Sequence, residues 1–131
     1  MAARFEYDAE LKLLLITFTG EVGNADLVNA FRVGRKLTAS HAIERGILDG
    51  TQVQAFQATA ELVQSLAHHP PMFPEDTDRC IVVEQDFLFG MARMYQMLAG
   101  ESRDRLRVVR SMADAYAYLK IDPPSRLQAI E

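Results

Sequence analysis

Hydrophobic residues recur along this chain with two spacings, one typical of β-strands and one typical of helices. Near the N-terminus, Phe5 and Tyr7 alternate with charged residues, which predicts a strand with one apolar face. The segment LKLLLITFTG that follows is almost continuously apolar, as expected of a strand covered on both faces. We therefore expect the chain to open with a hairpin that turns near Asp8–Glu10.

Apolar residues spaced three or four positions apart predict four helices. The first begins with Asn24 as its N-cap and ends near Ala39. Its outer side carries three basic residues that we expect to be solvated, namely Arg32, Arg35 and Lys36. The second helix contains residues 56–66 and precedes HHPPMFPEDTD, which its three prolines predict to be a loop. The third is DFLFGMARMYQMLAG, residues 86–100, and the fourth is SMADAYAYLK, with Ser111 as its N-cap.

Short apolar segments between these helices complete the predicted strands: IERGILDG near residues 43–49, RCIVVE and RLRVVR. The resulting order is β-β-α-β-α-β-α-β-α, and strands separated by one helix should pair in parallel with right-handed crossovers. The predicted fold class is therefore α/β, with a mixed sheet of five strands and about four helices. We expect a single domain over residues 1–121 and a C-terminal tail over residues 122–131, with at most one helical turn at Arg126–Ile130.

A specific pattern of residues begins at the third predicted helix. It reads F-G-x-A-R-x-Y, then R-x-x-x-x-A, then A-x-x-Y-L, and consists of Phe89, Gly90, Ala92, Arg93, Tyr95, Arg110, Ala115, Tyr118 and Leu119. The pattern resembles the bacterial STAS-like (SpoIIAA-like) domain family, in which Trp is frequent at the position of Tyr118. The resemblance covers the whole domain in element order and about the last third in specific residues.

The resemblance implies a non-enzymatic regulatory or protein-interaction domain of STAS-like fold, which acts as a homodimer or binds a regulatory protein. Related anti-sigma-factor antagonists carry a phosphorylatable Ser after the central strand, in a D-S-S-G-like context. Here that segment reads LDGTQVQAFQATAE, with Thr51 near the strand end, so the usual phosphoacceptor Ser is not expected. The family is also distantly similar to lipid-transfer domains of the CRAL-TRIO type. The alternative function is therefore binding of a small apolar ligand or lipid near Met91, Met94, Tyr95 and the Pro-rich loop.

Polar residues follow the predicted strands at their carboxyl ends, the edge where open parallel sheets bind ligands. The residues expected there are Glu21, Asp49, Thr51, Asp86 and Arg110, and we take the last four as a candidate ligand-binding site. Asp49 and Thr51 have groups that suit a polar ligand, and Arg110 suits an anion. The same residues equally suit turns and helix caps, so both interpretations stay open.

A helical wheel divides the third helix into an apolar and a polar side. The apolar side is predicted to contain Phe87, Leu88, Met91, Met94, Tyr95 and Leu98. Phe89 and Met97 fall instead on either side of Arg93, on the polar side. Phe, Met and Arg are enriched at protein interfaces, so Phe89, Arg93 and Met97 form a candidate contact surface. The alternative is that these are isolated exposed apolar residues of the ordinary kind.

Composition and charge narrow the range of functions. The net charge is −4 and no Lys- or Arg-rich run occurs, so we expect no nucleic-acid partner. The longest apolar run, LLLITF, is far shorter than the ~20 residues that span a bilayer, and no basic segment followed by an apolar one predicts a signal peptide. We therefore expect a cytoplasmic protein without a transmembrane segment.

The chemistry-bearing residues do not form a catalytic motif. Cys80 is the only cysteine and begins an apolar strand, which predicts a buried, unreactive thiol and fits a reducing compartment. His68 and His69 are adjacent, and neighbouring positions do not share a helix face, so no metal site is predicted. No G-x-S-x-G, P-loop or G-x-G-x-x-G motif occurs. We expect no enzyme activity and no cofactor.

Overall fold

The computed structural model of the protein describes residues 2–69, 71–99 and 105–130. The elements within these residues are β1 (Ala3–Asp8), β2 (Leu13–Val22), α1 (Asn24–Ser40), β3 (Arg45–Phe56), α2 (Ala60–His68), β4 (Asp78–Val82), α3 (Asp86–Leu98), β5 (Leu106–Val109), α4 (Met112–Leu119) and β6 (Gln128–Ala129). The sheet order is β5-β4-β3-β2-β1-β6, in which β2 to β5 are parallel and β1 is antiparallel to both of its neighbours. The predicted α/β class, mixed sheet and four helices are confirmed for the described residues. The sheet in this part of the chain has six strands, whereas five were predicted.

The additional strand, β6, lies where a last helical turn was expected. Tyr7 and Gln128 are register partners, and the backbone N–H of Ile130 donates to the carbonyl of Phe5 at 3.0 Å. The outer edge of β1 has backbone groups that need hydrogen-bond partners, and an extended tail satisfies them where a helix would not.

The strand β3 is longer than the pattern suggested. It continues past Asp49 to Phe56, so Phe56 ends a strand and does not begin a helix. Within the extension, Val53 is buried while Gln52 and Gln54 are exposed, which is the alternation of a half-covered strand.

Two helix starts test the predicted N-caps. Ser111 is the N-cap of α4, and its hydroxyl accepts a hydrogen bond from the N–H of Asp114 at 3.1 Å, as predicted. The N-cap of α1 is Gly23, one residue before the predicted Asn24. Asn24 has a different role, because its side-chain oxygen accepts from the N–H of Thr59, the residue that caps α2. The beginnings of the two helices are thereby joined.

The sheet separates two hydrophobic clusters. One face is covered by α1, α2 and α3, and its core includes Leu14, Ile16 and Phe18. The other face is covered by α4 and includes Leu13 and Leu15. Alternate residues of β2 therefore enter different clusters, which confirms the prediction that this strand is buried on both faces.

The Pro-rich loop is irregular, as predicted, but two of its side chains belong to the core. Met72 and Phe73 are each only 3% exposed. Met72 packs where α1 has Gly34, and the Phe73 ring packs where β3 has Gly46. The hydroxyl of Thr38 also donates to the carbonyl of Met72 at 2.9 Å, which holds the loop against α1.

None of the helices in the described part of the chain is long and apolar enough to cross a membrane.

Candidate functional site

Asp49 and Thr51 form a closed polar pair on the face of the sheet that α4 covers. Asp49 is buried, and its Oδ1 accepts hydrogen bonds from the N–H of Thr51 at 2.9 Å and from the Thr51 hydroxyl at 2.7 Å. Burial raises the pKa of the nearby Tyr116 hydroxyl, and the negative charge of Asp49 raises it further. The hydrogen bonds of this carboxylate are made to donors two residues along its own chain, as in local turn chemistry.

Asp86 and Arg110 also form a pair, on the α3 side of the sheet. Nη1 of Arg110 donates to Oδ1 of Asp86 at 2.9 Å and to the carbonyl of Glu84 at 3.0 Å. The side chain of Asp86 is almost fully exposed, so this ion pair adds little to stability. Asp86 is the first residue of α3, and the N-cap of this helix is Gln85. The Asp86 carboxylate therefore stabilises the helix through its interaction with the positive end of the helix dipole.

The four predicted ligand-binding residues therefore lie in two separate pairs. Asp49 is in register with Val82, and Val82 is in register with Val109. Arg110 follows Val109 by one residue, and successive side chains along a strand point to opposite faces. The sheet consequently lies between Asp49 and Arg110, and they do not share one pocket.

The predicted contact residues of α3 differ in their accessibility. Arg93 and Met97 are exposed, with Met97 at 64%. Phe89 is half-buried, because the guanidinium of Arg110 lies 4.1 Å from the centre of its ring and its other contacts are with the core. Phe87, which the wheel placed on the apolar side, is 64% exposed.

The rotation of α3 explains this difference. Its buried residues are Leu88 and Ala92, and Tyr95 continues the same stripe with half-burial. A helical wheel gives only the mean direction of all apolar side chains in the helix. Which row of side chains packs against the sheet depends on their sizes and on the shape of the sheet surface. The stripe that includes the small Ala92 allows close packing, and it leaves Phe87 in solvent. Gly90 is exposed, and a β-carbon placed there would meet no atom within 4 Å, so it does not serve a close backbone approach.

An apolar cavity of about 110 Å³ lies between the sheet and helices α1, α2 and α3. Its lining side chains come from both layers and include Phe18, Phe31, Leu48, Val53, Leu88 and Met91. Among the described residues that line it, Tyr95 alone brings a side-chain oxygen or nitrogen. Met91 and Tyr95 thus lie where the sequence placed an apolar ligand, while Met94 does not line this cavity.

A much smaller space, about 20 Å³, adjoins the Tyr95 end of the cavity. Its lining includes Phe73 from the Pro-rich loop and Arg79 from β4. It shares Phe31, Leu48 and Tyr95 with the larger cavity. Arg79 is 5% exposed and donates from Nη1 to the carbonyl of Thr77 at 2.8 Å. Burial lowers the pKa of this guanidinium.

Two guanidinium groups act on Tyr95. Burial raises the pKa of the Tyr95 hydroxyl, and the positive charges of Arg79 and Arg35 oppose that rise. Arg35 was expected to be solvated, but it is half-buried. Its Nη1 is buried and has no hydrogen-bond partner among the described residues.

The sequence contained a weak signal for this arrangement. Arg35 follows Phe31 by four residues, so the two side chains share one face of α1 and Arg35 is not on its outer side. Arg79 begins the apolar strand that contains Cys80. Its burial depends on the loop that covers it, which no periodicity indicates.

Cys80 lines the smaller space, but its thiol is not reactive there. Cys80 is fully buried, as predicted, and burial raises the pKa of its thiol to about 12, so thiolate is scarce at neutral pH. Within the described ranges, no group of three or more His, Cys, Asp or Glu residues is arranged to hold a metal ion.

The fold and the cavity define an α/β domain with an apolar pocket between its sheet and three of its helices. Comparison of the sequence with known protein families and with curated proteins finds no match.

Proposed function

We propose that this protein is a non-catalytic binding domain that holds a small apolar molecule between the sheet and helices α1, α2 and α3. The observation that carries the proposal is the cavity of about 110 Å³, whose walls are almost entirely hydrocarbon. Protein interiors otherwise leave few voids larger than a water molecule. The cavity is partly open to solvent, and a fitting apolar ligand would remove its hydrocarbon walls from water, which favours binding.

The cavity volume limits the size of the ligand. An engineered apolar cavity of about 150 Å³ in another protein stays dry and binds benzene. A cavity of about 110 Å³ is smaller than that one, so it suits a ligand no larger than one small ring or a short branched chain. A full-length acyl chain is too large for it, so the ligand class is narrower than the lipids of CRAL-TRIO-like domains.

The proposal includes membership of the STAS-like (SpoIIAA-like) group and a cytoplasmic location. The motif around Phe89 and Tyr95 supports the first, and the α/β class with a mixed sheet is compatible with it. The buried free thiol of Cys80 supports the second, since reduced cysteines are usual in that compartment.

A second candidate function is protein interaction through α3. Four large hydrophobic side chains are exposed among the described residues, and three of them lie on this helix: Phe87, Met97 and Leu98. Apolar side chains of this kind are enriched where proteins meet. We propose that α3 contacts a second copy of the chain or a regulatory protein. Arg93 and Met97 would lie in the contact, and the half-buried Phe89 would support the contact surface by packing against Arg110.

Titration with toluene tests the cavity directly. Toluene should shift the methyl resonance of Met91, which lines the cavity, and should leave that of Met112, which packs against the opposite face of the sheet. The variant Ala92→Leu adds a side chain to the cavity wall and should abolish the Met91 shift. Its unchanged Met112 resonance would show that the domain still folds.

The matched control is Ala117→Leu, the same substitution at an exposed position of α4. This variant should bind toluene like the wild type, because position 117 is remote from the cavity. The proposal fails if toluene does not shift Met91 in the wild type, or if Ala92→Leu binds it with unchanged affinity.

A further inference from the structure

Two neighbouring spaces on the α1–α3 side of the sheet are separated by a wall of side chains. The larger is the apolar cavity of about 110 Å³, and the smaller is the space of about 20 Å³ beside the Pro-rich loop. Among the described residues, three line both spaces: Phe31 of α1, Leu48 of β3 and Tyr95 of α3. A residue that lines both spaces lies between them, so these three side chains form the wall.

The two aromatic side chains close this wall by contact with each other. The rings of Phe31 and Tyr95 meet edge to face, with 6.0 Å between their centres, which is a favourable aromatic geometry. Leu48 belongs to the sheet and therefore forms a floor that the two spaces share. Phe31 is part of the buried core, whereas Tyr95 is only half-buried. Tyr95 is thus the part of the wall that can change with less effect on folding.

The smaller space is of no use to a ligand while the wall stands. At about 20 Å³ it has room for about one water molecule. Its far side is formed mainly by hydrophobic residues, including Met72 and Phe73 of the Pro-rich loop and Leu106 of β5. If the Tyr95 ring were absent, its volume would connect the smaller space with the larger cavity. The two spaces would then form one longer apolar site.

We infer that Tyr95 is the specificity-determining residue of the binding site, because its ring ends the cavity and limits the ligand to a single ring. The inference rests on the proposed function, and it names the residue that sets the ligand class. A longer ligand would have to displace the Tyr95 ring and break its contact with Phe31. Forcing extra volume into a packed site is unfavourable, so such a ligand is rejected although it is more hydrophobic.

The experiment titrates a one-ring probe, toluene, and a two-ring probe, naphthalene, into the full chain. Two methyl groups report where each probe binds: Met91 lines the larger cavity and not the smaller space, and Met72 lines the smaller space and not the larger cavity. The wild type should bind toluene about tenfold more tightly than naphthalene, with nuclear Overhauser effects from the probe to Met91 alone. Tyr95→Ala should bind naphthalene about tenfold more tightly than the wild type does, with Overhauser effects to both methyl groups.

Tyr95→Phe is the matched control, because it keeps the ring and removes only the hydroxyl group. It should keep the wild-type preference for toluene. Leu88→Ala enlarges the site from the same helix, but Leu88 lines the larger cavity and not the smaller space. Naphthalene bound to this variant should therefore give no Overhauser effect to Met72. Tyr95→Leu is the milder truncation if Tyr95→Ala does not fold, and an unchanged resonance of Met112 on the opposite face of the sheet reports folding.

Three results are distinguishable from the expected one. If the wild type binds naphthalene as tightly as toluene, the wall does not limit the ligand, and the inference is overturned while the binding function stands. If a folded Tyr95 truncation still rejects naphthalene, or binds it without an Overhauser effect to Met72, another residue ends the site and the inference is overturned. If neither probe reaches Met91 in the wild type, the proposed function fails and the inference fails with it.

Discussion

Gly20 shows how one residue satisfies a backbone requirement inside a strand. Its φ is +69°, a conformation that side-chain-bearing residues rarely adopt, and a β-carbon placed there would meet no atom within 4 Å. The pairing of β2 with β3 changes register between Gly20 and Glu21, so the glycine lies at a bulge. Glycine is therefore required here by the backbone conformation, and not by a lack of space for a side chain.

Substitution of this glycine provides a test of backbone strain alone. Gly20→Ala should lower the free energy of unfolding by about 1–2 kcal/mol, because alanine is strained at positive φ. Urea denaturation measures the change, and the slope of the transition should stay the same. Gly90→Ala is the control: it is exposed within α3 and should raise stability by up to about 1 kcal/mol. If Gly20→Ala and the wild type had equal free energies of unfolding, alanine would not be strained at this position.

At the scale of elements, the Pro-rich loop is a packing element although it has no regular structure. Phe73 is buried against β3, and its ring occupies the space that a β-carbon at position 46 would need. The absence of a side chain at Gly46 is thus matched to an aromatic side chain 27 positions later in the sequence. This fit positions the loop beside Arg79, with which Phe73 lines the smaller space.

A double-mutant cycle tests the match between the loop and the strand. Gly46→Ala should destabilise the domain by about 1–3 kcal/mol, because the new methyl group overlaps the Phe73 ring. Phe73→Leu should also destabilise it, by leaving space. The double variant should cost less than the sum of the two, because the smaller side chain makes room for the methyl group. Additive free energies of unfolding, measured in urea, would show that the two positions do not interact.

At the scale of the whole molecule, the sheet determines which polar groups can cooperate. Asp49 and Thr51 lie under α4, whereas Arg110 and Asp86 lie on the α3 side. The cavity and the two internal guanidiniums also lie on the α1–α3 side. One surface of α3 therefore lines the cavity, and the other presents exposed apolar side chains, so ligand binding and partner binding would involve the same helix.

Oligomeric state is the property that tests the exposed surface of α3. If this helix joins two copies of the chain, light scattering of the wild type should give the mass of a dimer. The double variant Phe87→Ser, Met97→Ser should then give the mass of a monomer, because each substitution removes an exposed apolar side chain. Val28→Ser is the control at an exposed apolar position of α1 and should leave the dimer intact. A monomeric wild type, or an unchanged mass in the double variant, would exclude this homodimer.

Much of the fold was predictable because it depends on local periodicity. The continuous apolar run of β2, the Ser111 cap and the number and order of the four helices were correctly predicted. The errors occurred where a partner distant in sequence decides the structure. The tail forms β6 because the outer edge of β1 has backbone groups available for pairing. The strand β3 continues to Phe56 because β2 pairs with it along this length.

The candidate site shows the same distinction between local patterns and contacts with distant segments. By itself, the sequence determined that Met91 and Tyr95 would face the interior, since this follows from spacing along one helix. It wrongly placed Asp49 and Thr51 at a strand end, because β3 continues past both to Phe56. Only the tertiary structure decided that Asp49 and Arg110 lie on opposite faces, and that Phe31 and Tyr95 pack edge to face across the cavity wall. Strand register, helix rotation and the space left between layers are set jointly by side chains from distant segments, and no local pattern contains that information.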